Sequence, residues 1–177
     1  MNRKALLAAV VLAFGILVLR AQEPAAKGVF TAAQAEAGRA VSEISCSQCH
    51  TPSLLGRKGD PGEMPPLSSL STFKQEFVGR AGGVVPPLVG PIFLSHVGSK
   101  TIDELAKFLQ SAVVTFLPAR TDDETALNVT AYVLLMNGAK PGSQPLTKTT
   151  EGSLNSILSA QKVQSAASVK PYDSDRR

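Results

Sequence analysis

The two cysteines of this 177-residue chain, Cys46 and Cys49, stand three residues apart, and His50, one of two histidines, follows at once. Cys46-Ser47-Gln48-Cys49-His50 closes a stretch of helical periodicity, and on the last turn of a helix positions i, i+3 and i+4 share one face. Two thiols and an imidazole so arranged suit covalent haem attachment: the thiols reach the two vinyl groups of the porphyrin while the imidazole meets the iron. Three other chemistries use the same residue types. A redox-active Cys-x-x-Cys sits at the head of a helix after a strand, where a thiolate is stabilised; this pair ends a helix and no strand precedes it. A structural zinc site needs a fourth protein ligand and usually a second Cys/His pair, which His96 alone does not provide. A plain disulfide is the third, in an oxidising compartment. The adjacent histidine favours haem.

The N-terminus bears on the compartment. Arg3 and Lys4 precede an unbroken apolar run from Ala5 to Leu19. At about 1.5 Å per residue, that run falls short of the roughly 30 Å hydrocarbon core. It matches a signal-peptide core, with Ala21 before the cleavage point, although Leu19 is larger than the usual residue there. The alternative is an uncleaved membrane anchor, the one circumstance in which membrane contact is expected. Either outcome places the protein in the periplasm or on the outer face of the cytoplasmic membrane. Loss of residues 1–21 removes Arg3, Lys4 and Arg20, so the net charge falls from +4 to +1. The basic precursor is then no sign of nucleic-acid binding, and no patch of interleaved basic and aromatic residues exists.

The remaining elements must position the motif. Residues 22–30 read as a linker, 31–140 as the folded domain and 141–177 as a polar, Ser-rich C-terminal tail with a weak helix near Leu154 to Val163. Thr31 is an N-cap for a helix to about Ser45 whose apolar stripe is Ala37, Val41 and Ile44. Gly38 lies inside it, at about 1 kcal/mol relative to alanine, and admits close packing of another helix. Residues 51–100 are rich in Pro and Gly and read as a long loop, of the kind that wraps a large ligand, with a short helix near Ser71 to Val78. Thr101-Ile102-Asp103-Glu104 is a capping box for a helix carrying Ile102, Leu105, Leu109 and Ala112 inward. A second box, Thr121-Asp122-Asp123-Glu124, starts a helix with Leu127, Ala131, Leu134 and Leu135 buried, ended by Asn137-Gly138. The carboxylates in these boxes read as helix-dipole partners rather than catalysts. The pattern predicts an all-α fold of three to four helices. Aromatic residues make up 5% of the chain and Trp is absent, so a cofactor would supply apolar volume that the core lacks.

Over roughly residues 29–140 the chain resembles the small monohaem class I cytochromes c, especially the electron-accepting subunits or domains of periplasmic quinoprotein dehydrogenases. Phe30-Thr31-Ala32-Ala33-Gln34-Ala35-Glu36-Ala37-Gly38-Arg39-Ala40 resembles the family's N-terminal helix. Pro86-Pro87-Leu88-Val89-Gly90-Pro91 resembles its Pro-x-Leu-x-Gly segment, and Ala131-Tyr132-Val133-Leu134-Leu135-Met136-Asn137-Gly138 its final helix. The resemblance implies a cytochrome c fold around one covalently bound haem c. It implies Cys46, Cys49, His50, Pro86, Leu88 and Tyr132 as cofactor-binding residues and His50 as an axial iron ligand. Tyr132 would pack near Gly38, and the Pro86 carbonyl would accept a hydrogen bond from His50.

Two departures accompany it. Ser42 stands where the family has an aromatic, and the distal Met-Pro is missing from Ala112-Val113-Val114-Thr115-Phe116-Leu117-Pro118-Ala119-Arg120, where Leu117-Pro118 takes its place. The sixth iron ligand is open between Met64 of Met64-Pro65-Pro66, His96 (preferred as a haem-propionate contact) and a vacant or water-bound site. Met136 reads as core. The implied function is single-electron transfer between a dehydrogenase and a respiratory acceptor, without an enzymatic reaction of the chain's own. The alternatives are a haem-based small-ligand binder or sensor and a weak peroxidase, the latter lacking a recognisable distal acid or base.

Overall fold

The computed structural model describes residues 28–58, 66–80, 82–116 and 122–167, and they form an all-α protein. The expected signal segment (residues 1–21), residues 22–27 of the expected linker, Met64, Leu117, Pro118, Thr121 and residues 168–177 lie outside the described residues. In chain order the elements are α1 (Ala32–Ser45), α2 (Ser47–His50), β1 (Arg57–Lys58), a 3-10 turn (Leu67–Ser69), α3 (Thr72–Arg80), β2 (Val84–Val85), α4 (Gly90–Val97), α5 (Ile102–Phe116), α6 (Asp123–Met136) and α7 (Leu154–Ala167). The two short strands pair antiparallel, Arg57 opposite Val85 and Lys58 opposite Val84. The loop expected over residues 51–100 therefore contains α4 as well as the short helix α3. Pro91 opens α4, where a missing N–H goes unnoticed.

Thr31 caps α1 reciprocally. Its hydroxyl accepts from the Gln34 N–H at 3.1 Å, and its own N–H donates to the Gln34 side chain at 3.3 Å. The buried face of α1 differs from the expected stripe. It consists of Ala35, Gly38, Val41, Ser42 and Ser45, whereas Ala37 and Ile44 face solvent. Small size, not hydrophobicity, selects this face, because α6 crosses it closely. A Cβ at Gly38 would lie 1.9 Å from the Asn128 carbonyl oxygen and 2.9 Å from the Val129 nitrogen. Gly38 thus meets α6 at Asn128 and Val129, one turn before Tyr132. The small Ser42, fully buried, lies on the same face.

The capping box at Thr101 and Glu104 is present, with the Thr101 N–H donating to the Glu104 carboxylate at 2.8 Å. The start of α6 falls one residue later than expected: Asp122 is its N-cap and accepts from the Thr125 N–H at 2.7 Å. These N–H groups hold both carboxyls below their ordinary values of 4.5 and 3.8. Their folded-state pKa values are depressed, so the stabilisation is complete above the ordinary values and is lost as pH falls through the folded ones. Thermal melts across pH should show a plateau down to about pH 5 and a decline below about pH 4, flattened in the Glu104→Gln, Asp122→Asn double variant. The far end of α6 closes on Gly138 (φ 93°), with the Ala139 N–H on the Leu134 carbonyl and the Gly138 N–H on that of Leu135.

Two expected boundaries move. Phe30 is fully buried and its carbonyl accepts from the Gly142 N–H at 2.7 Å, so residues 28–30 belong to the folded unit rather than to a linker. The stretch expected as a tail from 141 onward returns to the core through Leu146, Leu154, Ile157 and Leu158, packed in one cluster with Phe30, Leu105 and Leu134. Gln34 brackets Leu146 like a strand neighbour, donating to its carbonyl at 3.0 Å and accepting from its N–H at 2.7 Å. The start of α7 then meets the end of α4, with the Asn155 N–H on the Gly98 carbonyl at 2.9 Å.

Candidate functional site

Helix α1 gives way to α2 at Cys46, whose backbone stays right-handed helical (φ −106°, ψ −44°). The hydrogen-bond ladder runs through this joint. The Cys46 N–H bonds the Ser42 carbonyl and the His50 N–H bonds the Cys46 carbonyl, both at 2.8 Å. That continuity keeps Cys46, Cys49 and His50 on one side. Thr51 (φ 71°) then turns the chain away.

All three residues line a cavity of about 410 Å³, within the roughly 300–1,000 Å³ usual for cofactor and small-molecule sites. Its other walls are almost wholly apolar. Phe77 and Val78 come from α3, Val84 and Val85 from β2, Phe108, Leu109 and Ala112 from α5, and Val129 from α6. Pro86 and Leu88 complete the lining from the segment between β2 and α4.

His50 is held through one nitrogen. Its Nδ1 lies 2.8 Å from the Pro86 carbonyl oxygen. A carbonyl can only accept, so Nδ1 carries the proton and Nε2 keeps a lone pair. Burial pushes the imidazole below its ordinary range, and the Pro86 bond partly opposes this; the ring is neutral at pH 7. Burial also pushes the Cys49 thiol up, against the opposing pull of Lys74 and Arg57.

The Pro86 carbonyl is itself positioned. The Leu88 N–H donates to the Leu54 carbonyl at 2.8 Å. Asn137, at the end of α6, donates through Nδ2 to the Leu88 carbonyl at 3.1 Å and accepts through Oδ1 from the Gly90 N–H at 3.0 Å. Read from sequence, Asn137 is a helix terminator; its amide also ties α6 to the wall behind His50.

Of the residues singled out by sequence, Cys46, Cys49, His50, Pro86 and Leu88 come together at the cavity. Tyr132 does not line it. It is buried in the core, where burial and nearby Glu43 push its phenol up, and Val129, one turn earlier, takes the cavity position. His96 is exposed on α4, with Nδ1 on the Ile92 carbonyl at 2.8 Å, and is not part of the cavity lining. Met64 lies outside the described residues. Phe77, one turn after Phe73 on α3, and Phe108 on α5 are site residues that belong to no motif or apolar stripe legible in the sequence.

Among the described residues no three His, Cys, Asp or Glu side chains are grouped to hold a metal ion by themselves, and no helix is long and apolar enough to cross a membrane. Comparisons with protein-family models, characterised proteins and solved structures return no match to the chain.

Proposed function

We propose that this chain is an exported monohaem c-type cytochrome of the cytochrome c fold, transferring single electrons between a dehydrogenase and a respiratory acceptor. The observation that carries the proposal is the donor set: two thiols and one neutral, oriented imidazole in the wall of an otherwise apolar cavity. Haem fits that set. Cys46 and Cys49 would hold it through thioether bonds and His50 through Nε2. Bound there, it supplies a one-electron couple. The chain's part is to fix the imidazole through Pro86, supporting its basicity as a ligand, and to keep water from the site with Val78, Leu109 and Val129. Zinc fits poorly, because beyond Cys46, Cys49 and His50 the lining offers only the Ser45 hydroxyl and apolar groups. Export, periplasmic location and the two partners rest on the N-terminal pattern and on the family resemblance.

With the cytochrome c maturation machinery supplied, Cys46→Ala and Cys49→Ala should each keep haem by one thioether and shift the reduced pyridine spectrum. The double variant should release its haem to acid–acetone extraction. Extractable haem in the wild-type protein would contradict the proposal. The small-ligand binder gives the opposite result in a second experiment. An electron carrier with two protein ligands on iron keeps its reduced spectrum under CO, whereas an open site changes at once.

A further inference from the structure

We infer that Asn137 is a positioning residue for the axial histidine, acting at one remove through the Pro86 carbonyl; the inference rests on the haem reading above. The contacts form a short chain. Asn137 grips the segment after Pro86 at two points, the Leu88 carbonyl (3.1 Å) and the Gly90 N–H (3.0 Å). Its Nδ2 also bonds the Val133 carbonyl at 2.8 Å, which anchors the amide to α6. Leu54 holds the same segment from the other side through the Leu88 N–H. Pro86 thus stands between the β-pair of Val85 with Arg57 on one side and the anchors at Leu88 and Gly90 on the other, and its carbonyl meets His50 Nδ1 at 2.8 Å.

Proline makes the arrangement dependent on such outside support. Pro86 and Pro87 donate no backbone hydrogen bond, so the carbonyl that orients His50 stands in a stretch unable to anchor itself through its own N–H groups. A side-chain amide satisfies one carbonyl and one N–H at a fixed separation, which suits Asn137 to the task. The Nδ1–H···O bond shifts electron density toward Nε2 and favours the oxidised iron, so its loosening raises the midpoint potential.

The test uses the haem-loaded full chain and three variants, read by midpoint potential, by solvent exchange of the His50 Nδ1 proton in reduced-state NMR, and by thermal melting. Asn137→Ala should raise the potential and accelerate exchange. Thr31→Ala, which removes the distant α1 cap at about 1 kcal/mol, should lower stability and move neither of the other readings. If Asn137→Ala fails to fold, Asn137→Asp keeps the acceptor for Gly90 and removes the donor to the Leu88 and Val133 carbonyls, and faster exchange is again expected. Wild-type exchange and potential in the folded Asn137 variants, or the same changes in Thr31→Ala, would overturn the role of Asn137 while leaving the haem reading intact. A wild-type chain that carries no covalent haem would overturn both.

Discussion

Gly38→Ala is expected to lower the unfolding midpoint by roughly 10 °C or to prevent folding, although alanine is the better helix former by about 1 kcal/mol. The added methyl would stand 1.9 Å from the Asn128 carbonyl oxygen, and the obstacle is backbone of α6, not a side chain that can swing aside. Relief requires the two helices to separate along their most extensive interface, undoing the packing of Val41 and Val129. Overpacking of this kind costs about 1–3 kcal/mol where neighbours yield, and more where they do not. The neighbouring exchange gives the contrast. Ala37→Gly, on the exposed face, should cost only the propensity difference of about 1 kcal/mol. Thermal melts of the two variants decide the matter. A Gly38→Ala protein as stable as wild type would mean that α1 and α6 do not cross here.

Removal of residues 143–177 is expected to have a larger effect, a chain without a cooperative unfolding transition. Leu146, Leu154, Ile157 and Leu158 all sit in the main core cluster. At about 1.5–3 kcal/mol for each buried side chain, their loss approaches the roughly 5–15 kcal/mol that holds a whole domain folded. Deletion also opens Gln34 and the face of α4 against which α7 rests. Circular dichroism and a denaturant titration would show it. A truncated chain melting like wild type would restore the reading of this region as a tail.

The misreading of that region has a physical source. Its composition is Ser-rich and polar, yet Leu154, Ile157 and Leu158 repeat at i, i+3 and i+4, the signature of one buried helix face. Helix starts with reciprocal caps, at Thr31 and Thr101, were legible because their chemistry is local. The buried face of α1 was not, since Ala35, Ser42 and Ser45 are selected by the closeness of a helix more than eighty residues away. That Cys46, Cys49 and His50 share one wall was the most legible part of the candidate site, because three side chains within five residues state their own geometry. His96 and Tyr132 were drawn toward the site by resemblance. In the structure, His96 is exposed on α4, and Tyr132 is buried outside the cavity lining. Asn137 was invisible as a site residue because its partners, Leu88 and Gly90, are backbone groups almost fifty positions away.

The central claim is that Cys46, Cys49 and His50 hold one covalent haem against the apolar walls of α3, α5 and α6. Mass spectrometry of the full chain, made in cells that carry the cytochrome c maturation machinery and denatured before measurement, tests it most directly. The account predicts a polypeptide heavier by a single haem, with neither Cys46 nor Cys49 open to alkylation. A mass equal to that of the bare chain, with both thiols alkylated or joined to each other, would contradict it.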